Sequence, residues 1–190
     1  MTIFLVLMVL PELITWLTAP GDLIFNGTFI NITDFNVYLS AIRQGAEGNW
    51  LFSPQFTPET FPPYLSFLPY MLVGKLMALF GGGSIIWYQV LRFFSWMTVI
   101  YAFIHLIKTV FPQQDQLQRT ALILLMFGSG IGWLMLMFFG ELTLHTPDLF
   151  LPEWNLITAS YAAPHFLLGI ALQAAYFSSF IKFTRTAETR

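Results

Sequence analysis

The chain has no cysteine, and only 9% of its residues are Asp, Glu, Lys or Arg. The first absence excludes disulfides, thiolate metal sites and cysteine nucleophiles, and leaves the compartment open. The second excludes an ordinary water-facing surface, since soluble domains carry about 25% charged residues. Eight basic residues against ten acidic ones give a net charge of −2, so there is no electrostatic footprint for nucleic acid. Histidine is also scarce: His105, His145 and His165 show none of the short spacings that bring two imidazoles to one metal. What the chain has in abundance is apolar side chain. Of its 190 residues, 56% are hydrophobic and 18% aromatic, with 21 Phe. A soluble core of this size cannot hide so much apolar surface, and lipid is the simplest solvent for it.

Thr2–Thr18 reads as a retained apolar helix rather than a signal peptide, because it lacks a basic start and Pro20 follows Thr18 and Ala19 where cleavage would fall. Pro11 and Glu12 interrupt it, which a helix packed in a bundle tolerates. Residues 19–63 are polar and rich in Asn, Thr, Gly and Pro. Within them Asp34–Gln44 predicts a short helix capped by Thr33 or Asp34, with Phe35, Leu39 and Ile42 on one face. Gly45, Gly48 and the run SPQFTPETFPP end it. Tyr64–Phe80 is apolar but only marginally long enough to span, with Pro69 breaking it and Gly74 and Lys75 inside it.

After a turn at Gly81–Gly83 come three longer apolar stretches: Ile85–Phe111, Thr120–Gly140 and Tyr161–Phe183. The polar loop PQQDQLQR separates the first two and the acidic stretch Glu141–Asn155 the last two. Gly128, Gly130 and Gly132 lie within the second stretch. With no strand before them they cannot form a phosphate loop, and they are expected to serve close helix packing.

Charge decides whether Tyr64–Phe80 crosses. If it lies flat at the outer surface and the N-terminus is cytoplasmic, Lys108, Arg119, Lys182, Arg185 and Arg190 all fall inside, leaving Arg43, Lys75 and Arg92 outside or at the outer interface. If it spans, those five charges move outside. The expected fold is therefore an all-α polytopic transmembrane helix bundle of four spans plus one interfacial helix, with residues 1–190 as a single transmembrane domain. Residues 19–63 form a first extracytoplasmic loop, 64–80 a juxtamembrane helix and 141–155 a second extracytoplasmic loop.

This layout resembles the GT-C superfamily of membrane glycosyltransferases. The resemblance rests on one N-terminal helix followed by a large outer loop, and on an acidic residue in that loop, Asp34 of NITDFNVYLSAIRQG. It also rests on the Pro-aromatic segment PPYLSFLPYMLVGKLMALFG and on an Arg opening the next span, Arg92 of YQVLRFFSW. TPDLFLPEWNLITASYAAPHF is similar to loops of bacterial multi-spanning proteins of this type. The resemblance implies transfer of a sugar from a polyprenyl-phosphate carrier at the outer face of a bacterial plasma membrane. Membrane lipid and a lipid-linked sugar would be the partners. Two departures stand beside it: the family often shows paired acidic residues where Asp34 stands between Thr33 and Phe35, and its members are much longer. The chain is thus expected to be such an enzyme, the amino-terminal part of one, or a non-catalytic multi-spanning protein.

Under the resemblance Asp34 is the catalytic candidate. Inverting transfer needs a base to take the acceptor hydroxyl proton, and a carboxylate there can also hold a divalent metal on the phosphate. A simple helix cap is its plainer role. Arg92 and Lys75 are candidates for neutralising the carrier phosphate, against snorkelling to headgroups. Asp148, Glu153 and His165 complete the substrate-binding candidates, against solvated loop residues and a packed histidine. A transporter would instead require paired ionisable groups within its spans, and the sequence offers only His105, with no evident partner.

Overall fold

A computed structural model of the chain describes residues 2–22, 25–28, 31–130, 132–140, 151 and 155–188. Among these residues the fold is all-helical, with no strand beyond an isolated bridge between Phe52 and Tyr64. The chain divides into two compact units. One is Glu12–Phe94; the other joins Met1–Pro11 to Ser95–Arg190.

Helix α1, Thr2–Thr18, carries Pro11 in its interior and ends where the Thr18 hydroxyl donates back to the Ile14 carbonyl, 2.7 Å away. Helix α2 runs Ile32–Ala46. Its cap is Asn31 rather than Thr33 or Asp34: Asn31 takes a left-handed conformation (φ 55°, ψ 48°) and its carbonyl accepts the Phe35 N–H at 2.9 Å. Asn adopts this region more readily than most residues, and that moves the helix start ahead of the acidic residue. Phe35, Leu39 and Ile42 share the buried face, as expected, joined by Tyr38, Ala41 and Gly45.

Helix α3, Leu68–Phe80, is shorter than the expected segment. Pro69 occupies its first turn, where a missing N–H costs nothing, so it begins the helix instead of breaking it. Gly81 ends it at φ 75°. Helices α2 and α3 pack backbone to backbone. A Cβ added to Gly45 would overlap the Met71 backbone, and one added to Gly74 would overlap the Ile42 carbonyl and come within 2.8 Å of the Ala46 nitrogen. The far side of α3 leaves Leu72, Leu76, Leu79 and Phe80 exposed.

Helix α4, Ser84–Val110, is a 27-residue run. The Thr120–Gly140 stretch is not one helix: α5, Asp115–Phe127, stops at Gly128, and α6, Gly132–Phe139, starts afresh. Glycine loses the most entropy on entering a helix, and three glycines in five residues interrupt the run rather than pack within it. Helix α7, Leu156–Ala162, is capped by Asn155, whose side-chain oxygen accepts the Thr158 N–H at 2.9 Å. Helix α8, Pro164–Glu188, starts on a proline.

In the unit that contains Ser95–Arg190, Trp96, Val99, Ile100 and Phe103 of α4 form a core with Met8, Met126, Leu156 and Leu167, closed by small Ala171 and Ala174. Among the described residues, two helices are long and apolar enough to cross a membrane, Ser84–Val110 and Pro164–Ala187. At about 1.5 Å per residue both exceed the roughly 30 Å of a hydrocarbon core. The most apolar stretch of α8 is only 22% buried, unlike a soluble core helix, and exposes Leu172, Phe177, Phe180 and Phe183.

Candidate functional site

The polar feature of the Glu12–Phe94 unit is a groove along α2. Asn36, Ser40, Arg43 and Glu47 recur at helical spacing, opposite the face that α2 buries, and line a cleft of about 370 Å³ with Gln55 and Phe56. A second cleft of about 500 Å³ shares Gln44, Glu47 and Gln55 and adds Asn49 and Trp50. The wall between them is held by Gln44, which is 4% exposed. Its amide pairs with the Ser53 backbone as a neighbouring strand would: Nε2 donates to the Ser53 carbonyl at 2.9 Å, and Oε1 accepts the Ser53 N–H at 2.8 Å. The Asn49 N–H donates to the Gln44 carbonyl at 3.1 Å, and Phe52 and Tyr64 exchange backbone hydrogen bonds at 2.9 and 3.1 Å.

This fixed loop carries Trp50, whose side chain stays exposed. Lys75 reaches over from α3, its Nζ 4.2 Å from the indole centroid and 3.0 Å from the Gly48 carbonyl to which it donates. The contact combines a hydrogen bond with a cation–π attraction and orients the ring. The groove therefore offers two aromatic side chains, several amides and hydroxyls, a carboxylate and a guanidinium. That is a lining for a polar, hydrogen-bonding ligand.

Asp34 sits in the first turn of α2 and is exposed, but it does not line the groove, which begins two residues later at Asn36 and faces the other way. Near it, α2 meets α4: Phe35 contacts Tyr88 edge-on at 4.8 Å, and Tyr38, Tyr70 and Tyr88 stack with centroids 4.7–6.4 Å apart. One turn beyond Tyr88 lies Arg92, which is 1% exposed and forms an ion pair with Glu12 of α1. Arg92 is thus engaged by a carboxylate inside apolar helices. Lys75 stands at the rim of the groove.

His165 is half-buried at the start of α8, in the other unit, its ring 4.4 Å from that of Phe166. Asp148 and Glu153, with most of the loop 141–155, lie outside the described residues. His105 has a partner in α8: Lys182 Nζ lies 2.9 Å from its Nε2. Among the described residues no group of three or more His, Cys, Asp or Glu side chains could hold a metal ion.

Sequence reasoning missed Glu12 as the partner of Arg92, and the groove residues Arg43, Gln44, Glu47 and Gln55. For Glu12 a signal existed, since opposite charges embedded in two apolar segments are costly unless they meet. For the groove there was the polar period Asn36, Ser40, Arg43, Glu47 opposite the apolar one.

Compared with known proteins, the chain matches no family model, no curated sequence and no solved structure. The fold itself defines the class: among the described residues, an all-helical protein with two helices of membrane-crossing length and apolarity.

Proposed function

We propose that the chain is an integral membrane glycosyltransferase of the GT-C kind, or the amino-terminal part of one, transferring a sugar from a lipid-linked donor at the outer face of a bacterial plasma membrane. In this reading the N-terminus is cytoplasmic, α1, α4, the α5–α6 region and α8 supply the crossings, and α3 lies at the outer interface. The observation that carries the reading is the α2–α3 pair. It follows an apolar helix, precedes a membrane-length one, turns an apolar side outward on α3 and builds a polar groove with a fixed Trp along α2. At 13 residues α3 is about 20 Å long, too short for a hydrocarbon core, which suits an interfacial position.

Asp34 is the base of the proposed reaction. It takes the proton of the acceptor hydroxyl as that oxygen bonds to the anomeric carbon, while the bond from that carbon to the carrier phosphate oxygen breaks and the phosphate leaves with the electron pair. Lys75 at the rim and Arg43 in the groove are the cations proposed to hold the donor phosphate; because Asp34 faces the other side of α2, this reading requires the start of α2 to turn toward the groove when donor and acceptor bind. Arg92 contributes only if Glu12 releases it. A divalent metal is compatible with a phosphate donor and would have to be shared with the donor's own oxygens.

The test is a transfer assay on membranes carrying the full chain, using a panel of radiolabelled polyprenyl-phosphate sugars. Asp34→Asn should lower transfer by about a hundredfold or more at equal protein level. Transfer by this variant at the unmodified rate would remove Asp34 from catalysis. The second reading, a non-catalytic multi-spanning protein, draws on the position of Asp34 away from the groove, and is the outcome if no donor in the panel is used.

A further inference from the structure

The Ser95–Arg190 part of the chain carries four described basic residues near the end of α4, and they are used in two ways. Lys182 and Arg185 of α8 are engaged with α4: the first meets His105 Nε2, and Arg185 donates to the carbonyls of Thr109 at 2.5 Å and Val110 at 3.4 Å, capping the helix end. Lys108 and Arg119 have no hydrogen-bond or ion-pair partner among the described residues, and both line a cleft of about 360 Å³ between the end of α4 and the start of α5. Ile104, Ile107 and Leu122 give the cleft an apolar floor, and Asp115 is its one carboxylate. The corner is preformed: Gln118 Nε2 donates to the Phe111 carbonyl at 2.7 Å, and the Gln118 N–H donates to the Gln114 carbonyl at 2.9 Å.

We propose that this corner is a headgroup site for an anionic phospholipid. Two unneutralised cations outweigh one carboxylate, so the cleft favours a single negative phosphate. The aliphatic floor offers a surface to the first carbons of an acyl chain, and Ile123 and Leu124, which follow Leu122 in α5, are exposed. The end of a membrane-length helix is also the depth at which headgroups sit. A free phosphate would use the cations and leave Ile104, Ile107 and Leu122 without a partner. The inference rests on the reading of α4 as a membrane span, and is independent of sugar transfer.

The experiment uses the full chain in a mild detergent, exposed to phosphatidylglycerol and phosphatidylcholine of matched acyl chains, with retained lipid counted by native mass spectrometry. Phosphatidylglycerol should be retained about tenfold more than phosphatidylcholine, and Lys108→Gln with Arg119→Gln should abolish the preference. Both residues are exposed, so the double variant should fold, and an unchanged melting temperature checks this. Lys182→Gln, which removes one charge that meets His105 and does not line the cleft, should keep the preference. Equal retention of the two lipids by the unmodified chain overturns the proposal, as does a preference that survives the double variant. If inorganic phosphate alone raises the melting temperature as much as the lipid does, the site is an anion site and the lipid assignment fails. Release of the chain from membranes by alkaline carbonate would defeat the membrane reading itself, whereas a retained chain with no lipid preference would defeat this site alone.

Discussion

Helix α8 and the α2–α3 pair handle apolar surface in opposite ways. The pair uses Gly45 and Gly74 to bring two backbones into contact, so α2 buries its apolar face against α3 and the tyrosine stack, its outer polar face becomes a groove, and exposed apolar surface falls on the far side of α3. Helix α8 packs a narrow stripe, Leu167, Ala171, Ala174 and Ser178, and leaves Phe177, Phe180 and Phe183 open. The first arrangement defines a shape in water, as a binding site requires. The second leaves an apolar wall of the kind that lipid covers in a spanning helix, where close packing with the rest of the chain is not what keeps apolar groups from water.

This contrast makes glycine substitutions opposite in sign. Gly74→Leu must push α2 from α3, and should destabilise the unit by about 3 kcal/mol or more, read as a lowered melting temperature in detergent together with faster proteolysis between residues 47 and 63. A variant as stable as the unmodified chain would mean that the two helices do not approach so closely. Glu12→Gln takes the carboxylate from the buried Arg92 guanidinium and should cost about 3 kcal/mol. Arg92→Gln should cost a similar amount, and the two together less than the sum of the single changes; simple additivity would show that the pair does not form. At the small end, Gly169 of α8 has nothing within 4 Å of an added Cβ. Gly169→Ala should therefore stabilise the helix, by about 0.5–1 kcal/mol, measured by the same thermal scan.

How much of this was legible in the sequence depends on the range of the interaction involved. The all-helical class, the two longest apolar helices and the buried face of α2 follow from local composition and period, and both signals were present. The cap of α2 was misplaced because the conformation of Asn31 outweighed the presence of two good capping residues further on. Pro69 was read as a breaker, since the boundary that makes it a helix starter is set by the bridge of Phe52 to Tyr64 just before it. The interruption at Gly128–Gly130 was underrated because average hydrophobicity hides the backbone cost of repeated glycine. The polar period along α2 was visible, but the closure that makes it a groove was out of reach. Its wall depends on Gln44 meeting Ser53 nine residues later, a closure with no periodicity, and the pairing of Glu12 with Arg92 joins positions eighty apart.

Asp34 precedes α4 in the chain and Asp115 follows it, and in the proposed topology the membrane lies between them. Because the chain has no cysteine, single cysteines at these two positions can be labelled in intact cells with a membrane-impermeant maleimide, with no background from other thiols. Labelling at position 34 and protection at 115, reversed only when the cells are opened, is the expected result. It would place the α2 groove outside and the α4–α5 corner inside. Equal labelling of both positions in sealed cells would mean that α4 does not cross, and would contradict the outer-face site and the lipid-facing corner together.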